Sequence, residues 1–268
     1  MNAFDYFFEL SSGQERNFLV GKENLSFIDL YQSSRSLASW IEAEFGHDQN
    51  ILLLSVNNAF FLTAYFAIIK SGNVCIPLDP NIEKENFRYI SQLTNPVLIF
   101  CTSDVARKLE LEAQKCIFPE IVSNHEYKGS LSDNGYKIDP NACAEIIFTS
   151  GSTGIPKGVM ISHKNLIANT ESIIQYLKLD EKDRMLVVLP FYYCYGLSLL
   201  HTHLRVGGSI VLNNSFIFLG GIIRDLHEQK CTGFAGVPSH FQILLRKSDN
   251  FKNTSFPDLR YVTQAGGK

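Results

Sequence analysis

Residues 146–160 read Ile146-Ile147-Phe148-Thr149-Ser150-Gly151-Ser152-Thr153-Gly154-Ile155-Pro156-Lys157-Gly158-Val159-Met160. An apolar run feeds a stretch in which every residue from Thr149 to Thr153 is Thr, Ser or Gly, and Gly154, Pro156 and Lys157 follow at once. This composition predicts a buried strand that opens into a loop wrapped around an anion. Glycine lets backbone amides approach phosphate oxygens, hydroxyls donate further hydrogen bonds, and Lys157 adds a mobile positive charge. Pro156 fixes one backbone angle and so limits how far Lys157 can wander. A solvated Ser/Thr/Gly linker would not need an apolar strand before it and Val159-Met160-Ile161 after it. The candidate phosphate ligands are therefore Thr149, Ser150, Gly151, Ser152, Thr153, Gly154 and Lys157. The pattern is not that of a P-loop kinase, because Lys157 precedes Gly158 and no Ser or Thr follows it where that motif needs one.

On both sides of this segment, apolar runs alternate with helix-like stretches. Residues 51–56 suit a buried parallel strand, Asn57-Asn58 offers a cap, and residues 59–70 read as an apolar helix ended by Ser71-Gly72. Strands are expected over 74–77, 97–100 and 117–122, with helices over 83–93 and 104–114. After the loop, residues 165–177 predict a helix, with Ser162 as its cap and His163 beside it. Strands at 185–189, 209–212, 233–237 and 259–263 are separated by helices near 197–205, 219–229 and 239–247. The alternation is that of an α/β protein with parallel sheets covered by helices. A polar, turn-rich stretch over 123–141 marks a boundary between two lobes.

The chain has 268 residues, 45% hydrophobic and 19% charged, with net charge −3 and no Lys/Arg cluster, which argues against a nucleic-acid binder. Six cysteines are scattered without C-x-x-C spacing, mostly in apolar runs, as buried free thiols are, and point to a reducing cytoplasm. Met185 to Leu204 carries no Asp, Glu, Lys or Arg over 20 residues, enough to span a bilayer. Pro190, Gly196 and three tyrosines interrupt it, so it reads as strand, loop and buried helix and no membrane span is expected. His201 and His203 are two apart and do not share a helical face, so no metal site is expected there.

The segment 146–160 resembles, almost letter for letter, the phosphate-loop signature of the adenylate-forming superfamily of AMP-dependent synthetases and ligases. Three further stretches are similar to family motifs in the family order. They are Leu25-Ser26-Phe27-Ile28-Asp29-Leu30, Ile69-Lys70-Ser71-Gly72-Asn73-Val74-Cys75-Ile76-Pro77-Leu78-Asp79-Pro80, and Leu259-Arg260-Tyr261-Val262-Thr263-Gln264-Ala265-Gly266-Gly267. The resemblance covers essentially the whole chain. It implies two packed α/β subdomains, residues 1–140 and then 141–268 with the phosphate loop, and ligand in the cleft between them. It also implies a C-terminal barrel and lid that find no counterpart in these residues, and an apolar face left open to self-association.

The chemistry implied by the resemblance is ATP-dependent, AMP-forming activation of a carboxylic acid to acyl-AMP. The acyl group then passes to a thiol of CoA or of a phosphopantetheinyl carrier protein. Lys157 would be the catalytic residue, neutralising departing pyrophosphate, and Gly266-Gly267 would floor the adenine side. The acid pocket would involve Tyr193, Cys194, Tyr195 and Gly196, with Val237 and Pro238 in its wall. Amino-acid-activating members usually place an Asp where Cys194 stands, and a thiol cannot supply that counter-charge. A non-amino acid, aryl or fatty, is therefore the expected substrate. Ser215 stands about where several CoA ligases carry a basic residue. Magnesium belongs to the family reaction, although its usual Glu is not among these residues, and the isolated stretch is expected to be inactive. The alternative is a non-catalytic nucleotide-binding or scaffolding fragment.

Overall fold

The computed structural model describes residues 1–112, 115–124, 136–150 and 155–267, with only the backbone of Ser150. Contacts divide the chain into two units, one of residues 1–8 and 28–168, the other of residues 9–27 and 169–268.

In the first unit, α1 (Ala3–Phe8) is followed by α2 (Phe27–Phe45), which opens at the unit boundary. Then come β3 (Asn50–Leu54), α3 (Ala59–Lys70), β4 (Val74–Leu78), α4 (Lys84–Thr94), β5 (Leu98–Cys101) and α5 (Ser103–Leu109). The strands β6 (Cys116–Ile117), β7 (Cys143–Ser150) and β8 (Pro156–Ser162) complete one six-stranded sheet among the described residues, in the order β6-β5-β3-β4-β7-β8. Every pair is parallel except β7 with β8, which form an antiparallel hairpin. All five residues of β4 are buried, and β3 is buried from Ile51 onward, as expected of parallel strands covered on both faces. Helix α3 begins where the sequence places it. The Asn58 side chain accepts a hydrogen bond from the Phe61 amide at 2.8 Å, and Gly72 leaves the helix at φ +71. Phe4, Phe7 and Phe8 of α1 are buried against Tyr31 of α2 and Phe66 of α3.

The second unit starts with β1 (Asn17–Val20) and β2 (Leu25–Ser26) and resumes in the middle of α7 (His163–Leu177). It continues with β9 (Arg184–Val187), α8 (Cys194–Val206), β10 (Ser209–Leu212), α9 (Leu219–Glu228), β11 (Gly233–Gly236), α10 (Pro238–Lys247), α11 (Asp249–Asn253) and β12 (Tyr261–Gln264). Its sheet runs β12-β11-β9-β10-β1-β2, parallel apart from the β1–β2 pair. Leu186, Val211, Ile222, Leu226, Phe234 and Leu244 form its core.

Three expectations need correction. Residues 117–122 do not form a strand: β6 ends at Ile117, and Pro119 opens α6 (Pro119–Ser123) at its first turn. Proline cannot donate to a ladder but suits the first helical turn, so the sequence carried that signal. Helix α5 stops at Leu109, because Glu110 takes the left-handed conformation at φ 57. The division at 140/141 also differs from the contacts, since β7 and β8 finish the first unit's sheet and residues 9–27 join the second. Strand pairing outweighs sequence order here: β7 lies beside β4, and β1 beside β10.

Candidate active site

The hairpin β7–β8 presents the phosphate-loop segment. Thr149 pairs in register with Lys157, and Ser150 with Pro156; both Thr149 and Lys157 are exposed. Residues 151–154, which carry Gly151, Ser152, Thr153 and Gly154, lie outside the described residues. The hairpin turns at the carboxyl end of β7, the end at which parallel α/β sheets bind ligands. On β8, Gly158 is required by close approach, because a Cβ there would meet the Ile146 side chain at 2.8 Å and the Phe148 ring at 3.1 Å. Next to the hairpin lies an open groove of about 470 Å³ lined by residues including Asn141, Met160, Ser162 and Lys164. Behind it α7 starts on Ser162, whose hydroxyl accepts from the Asn165 amide at 3.2 Å while Asn165 Oδ1 accepts from the Ser162 amide at 3.2 Å. His163 opens α7, as its place beside the cap suggested. It is buried, its Nδ1 accepts from the Ala3 amide at 3.3 Å, and burial holds its pKa down at about 4.

In the second unit the expected acid-pocket residues gather past the carboxyl ends of three neighbouring parallel strands, β9, β11 and β12. Tyr193 caps α8 without a side-chain cap bond and is half exposed, with its ring 4.9 Å from that of Tyr192. Cys194 is an exposed free thiol on the first turn. The Tyr195 hydroxyl donates to Thr263 Oγ1 of β12 at 2.8 Å, and burial pushes its pKa up against the opposing effect of that bond. Gly196 is buried, and a Cβ there would fall on the Pro190 carbonyl oxygen. Its smallness serves the packing of α8 on the preceding loop. Val237 and Pro238 follow β11, with Pro238 in the first turn of α10. Gly266, at φ +84, stands against Val237, and Gly267 stands against Pro238 at 3.1 Å from where its Cβ would be. Thus Tyr195, Val237, Pro238, Gly266 and Gly267 lie together past the ends of β9, β11 and β12.

The pair His201/His203 is buried in α8. His203 Nε2 lies 2.9 Å from the Tyr261 hydroxyl, and its Nδ1 lies 2.8 Å from the Leu199 carbonyl. Among the described residues, no group of three or more His, Cys, Asp or Glu is placed to hold a metal ion. No described helix is long and apolar enough to cross a membrane; residues 185–204 divide into β9, a loop and α8.

Two groups escaped the sequence reading. Thr263 is the hydroxyl partner of Tyr195. Glu145 sits in β7 four residues before Thr149, only 2% exposed, and accepts from the Tyr65 hydroxyl at 2.8 Å. A single carboxylate inside the apolar run 144–148 was a visible signal, since such groups are almost never fully buried unpaired.

The profile described as "AMP-binding enzyme" matches residues 10–268. The chain belongs to that AMP-binding, adenylate-forming family of ligases and synthetases. It is 28% identical over 251 residues to the peroxisomal OPC-8:0-CoA ligase 1 of Arabidopsis thaliana, covering 86% of this chain and 45% of that protein. It is 27% identical over 246 residues to a D-alanine–D-alanyl carrier protein ligase of Listeria innocua, covering 88% of this chain and 47% of that one. The chain therefore spans about half the length of these relatives. Its fold matches the inhibitor-bound N-terminal domain of FACL13 from Mycobacterium tuberculosis at a TM-score of 0.88 and 16% identity, over 99% of this chain and 70% of that one.

Proposed function

We propose that these residues are the nucleotide- and acid-binding portion of an ATP-dependent, AMP-forming ligase acting on an aryl or fatty carboxylic acid. The observation that carries the reading is the β7–β8 hairpin, which sets exposed Thr149 and Lys157 in register at the mouth of the Ser/Thr/Gly segment. Thr149, Ser150, Gly151, Ser152, Thr153 and Gly154 would supply hydroxyls and amides to the β- and γ-phosphates. The Lys157 ammonium would neutralise pyrophosphate as it leaves. In the reaction a carboxylate oxygen of the acid attacks the α-phosphorus of ATP. The bond to the bridging oxygen breaks, and acyl-AMP and pyrophosphate form. A thiolate of CoA or of a carrier-protein phosphopantetheine then takes the acyl group and releases AMP. Such catalysis is chiefly positioning and charge stabilisation, which is what a hairpin of donors supplies.

In the second unit, Tyr193, Cys194, Tyr195 and Gly196 would border the acid, with Val237 and Pro238 as wall and Gly266-Gly267 beneath the adenine. Cys194 offers no counter-charge for an α-amino group, which favours a non-amino acid. Five of the six thiols are wholly or partly buried and all six are free, in keeping with a reducing, cytoplasmic setting. The metal-binding Glu and lid Lys of the family have no counterpart in these 268 residues, so by themselves they should form no acyl-AMP. The test is titration of ATP into the chain, followed by pyrophosphate exchange on the intact gene product across aryl and fatty acids. ATP should bind, exchange should depend on one class of acid, and absence of ATP binding would sink the proposal. A scaffold without catalysis would bind ATP and yet support no exchange with any acid.

A further inference from the structure

The first unit holds one buried carboxyl group that the proposed chemistry does not use, Glu145 of β7. Its environment is well defined. Tyr65, fully buried in α3, donates its hydroxyl to Glu145 Oε2 at 2.8 Å. Cys75 of β4 lies opposite Glu145 in the parallel register that joins β4 to β7. Across the hairpin, β8 meets Glu145 with Ile161. The titratable groups facing the carboxyl are therefore Tyr65 from α3, Cys75 from β4 and Cys143 from its own strand, with no cation among them. An apolar side chain in this position would avoid the cost of burying a carboxyl group. The contact joins the buried helix α3 to the strand that carries Thr149 four residues later.

We propose that Glu145 is a positioning residue: its neutral carboxyl, held by Tyr65, fixes the hairpin that carries Thr149 and Lys157, and its deprotonation loosens that hairpin and its hold on polyphosphate. The inference rests on the phosphate reading given above. Burial raises the Glu145 pKa to about 7, with the Tyr65 hydrogen bond pulling the other way. Burial, seconded by the Glu145 charge, likewise lifts Tyr65 and Cys75 well above their ordinary values, so neither is ionised when Glu145 titrates. A group whose folded pKa is raised favours the closed strand below its ordinary value of 4.5, and that contribution is lost as pH rises through about 7.

The test follows amide hydrogen exchange at residues 146–149 and 157–160 in the 268-residue chain, corrected for intrinsic rates, with residues 52–54 of β3 as the internal reference. Between about pH 5.5 and pH 8, protection of the hairpin should fall at least tenfold relative to β3. In Glu145→Gln it should stay level. Tyr65→Phe, which keeps the ring and removes the hydrogen bond that lowers the carboxyl pKa, should move the midpoint to higher pH. Inorganic tripolyphosphate, titrated by calorimetry, should bind the wild type progressively more weakly than Glu145→Gln as pH rises over the same range. Equal pH dependence in wild type and Glu145→Gln, or level exchange in the wild type, overturns the inference while tripolyphosphate binding keeps the phosphate reading standing. A wild-type chain that binds no tripolyphosphate at any pH removes both.

Discussion

Lys157 is the residue on which the proposed chemistry turns, because it brings the one cation of the segment 146–160 to the mouth of the hairpin. Lys157→Ala in the intact enzyme should lower pyrophosphate exchange at least tenfold, the scale of a lost charge contact in a transition state. Unchanged exchange would remove its assigned role. A different residue-scale effect belongs to Asp183, which is 2% exposed at the head of β9. Arg260 donates to both its oxygens, at 3.2 and 2.5 Å, while Thr232 Oγ1 and the Asp180 amide donate at 2.7 and 2.9 Å. Burial pushes the Asp183 pKa up, but Arg260, Asp180 and Thr232 together hold it below its ordinary 3.8. Arg260→Ala should cost about 1–2 kcal/mol in urea unfolding, discounted because the guanidinium is partly exposed. A folded pKa below the ordinary value stabilises above that value, and the gain disappears as pH falls through the folded pKa. The variant's deficit should therefore shrink below about pH 3.8; a deficit independent of pH would show that the ion pair is not its source.

At the scale of elements, α8 and the β7–β8 hairpin each depend on a glycine that the sequence motif alone does not explain. Gly196→Ala would drive a methyl into the Pro190 carbonyl and displace the first turn of α8. The cost should be about 2–3 kcal/mol, with Tyr195 pulled from Thr263. A Tm within a degree of wild type would show that this turn is not tightly packed. Two helix caps were legible beforehand, since they follow from local chemistry: Asn58 and Ser162 cap the helices they precede. Residues 117–122 were misread because their apolar side chains suggest a strand, while the backbone demand of Pro119 favours a helix start. Helix α5 ends early because one left-handed residue, Glu110, turns the chain, and a glutamate gives no notice of that.

At the scale of the whole molecule, stability should depend on pH through three buried histidines. Burial lowers His163 to about 4, His201 to about 3 and His203 to about 4, against an ordinary 6.5. The unfolded chain then binds protons that the folded chain refuses, so the stabilisation present above pH 6.5 is lost as pH falls toward 4. Calorimetric Tm values should drop across that window. Glu145 acts with the opposite sign there, so Glu145→Gln should make the drop steeper. A Tm that holds level from pH 6.5 to 4 in Glu145→Gln would contradict the burial of these histidines.

Residue type and spacing were enough to determine the α/β alternation and a Ser/Thr/Gly-rich turn after an apolar strand, and resemblance of short motifs indicated the family, because strand runs, caps and glycine-rich turns are written in neighbouring residues. Only tertiary structure decided which distant groups meet. Glu145 takes its hydrogen bond from Tyr65 80 positions away, Tyr195 finds Thr263 68 away, and Asp183 finds Arg260 77 away. It also decided that residues 9–27 serve the sheet of β9 to β12 while the β7–β8 hairpin completes the other. Those partnerships follow from strand order and register, which depend on how whole sheets bury their faces, and local periodicity holds no record of that.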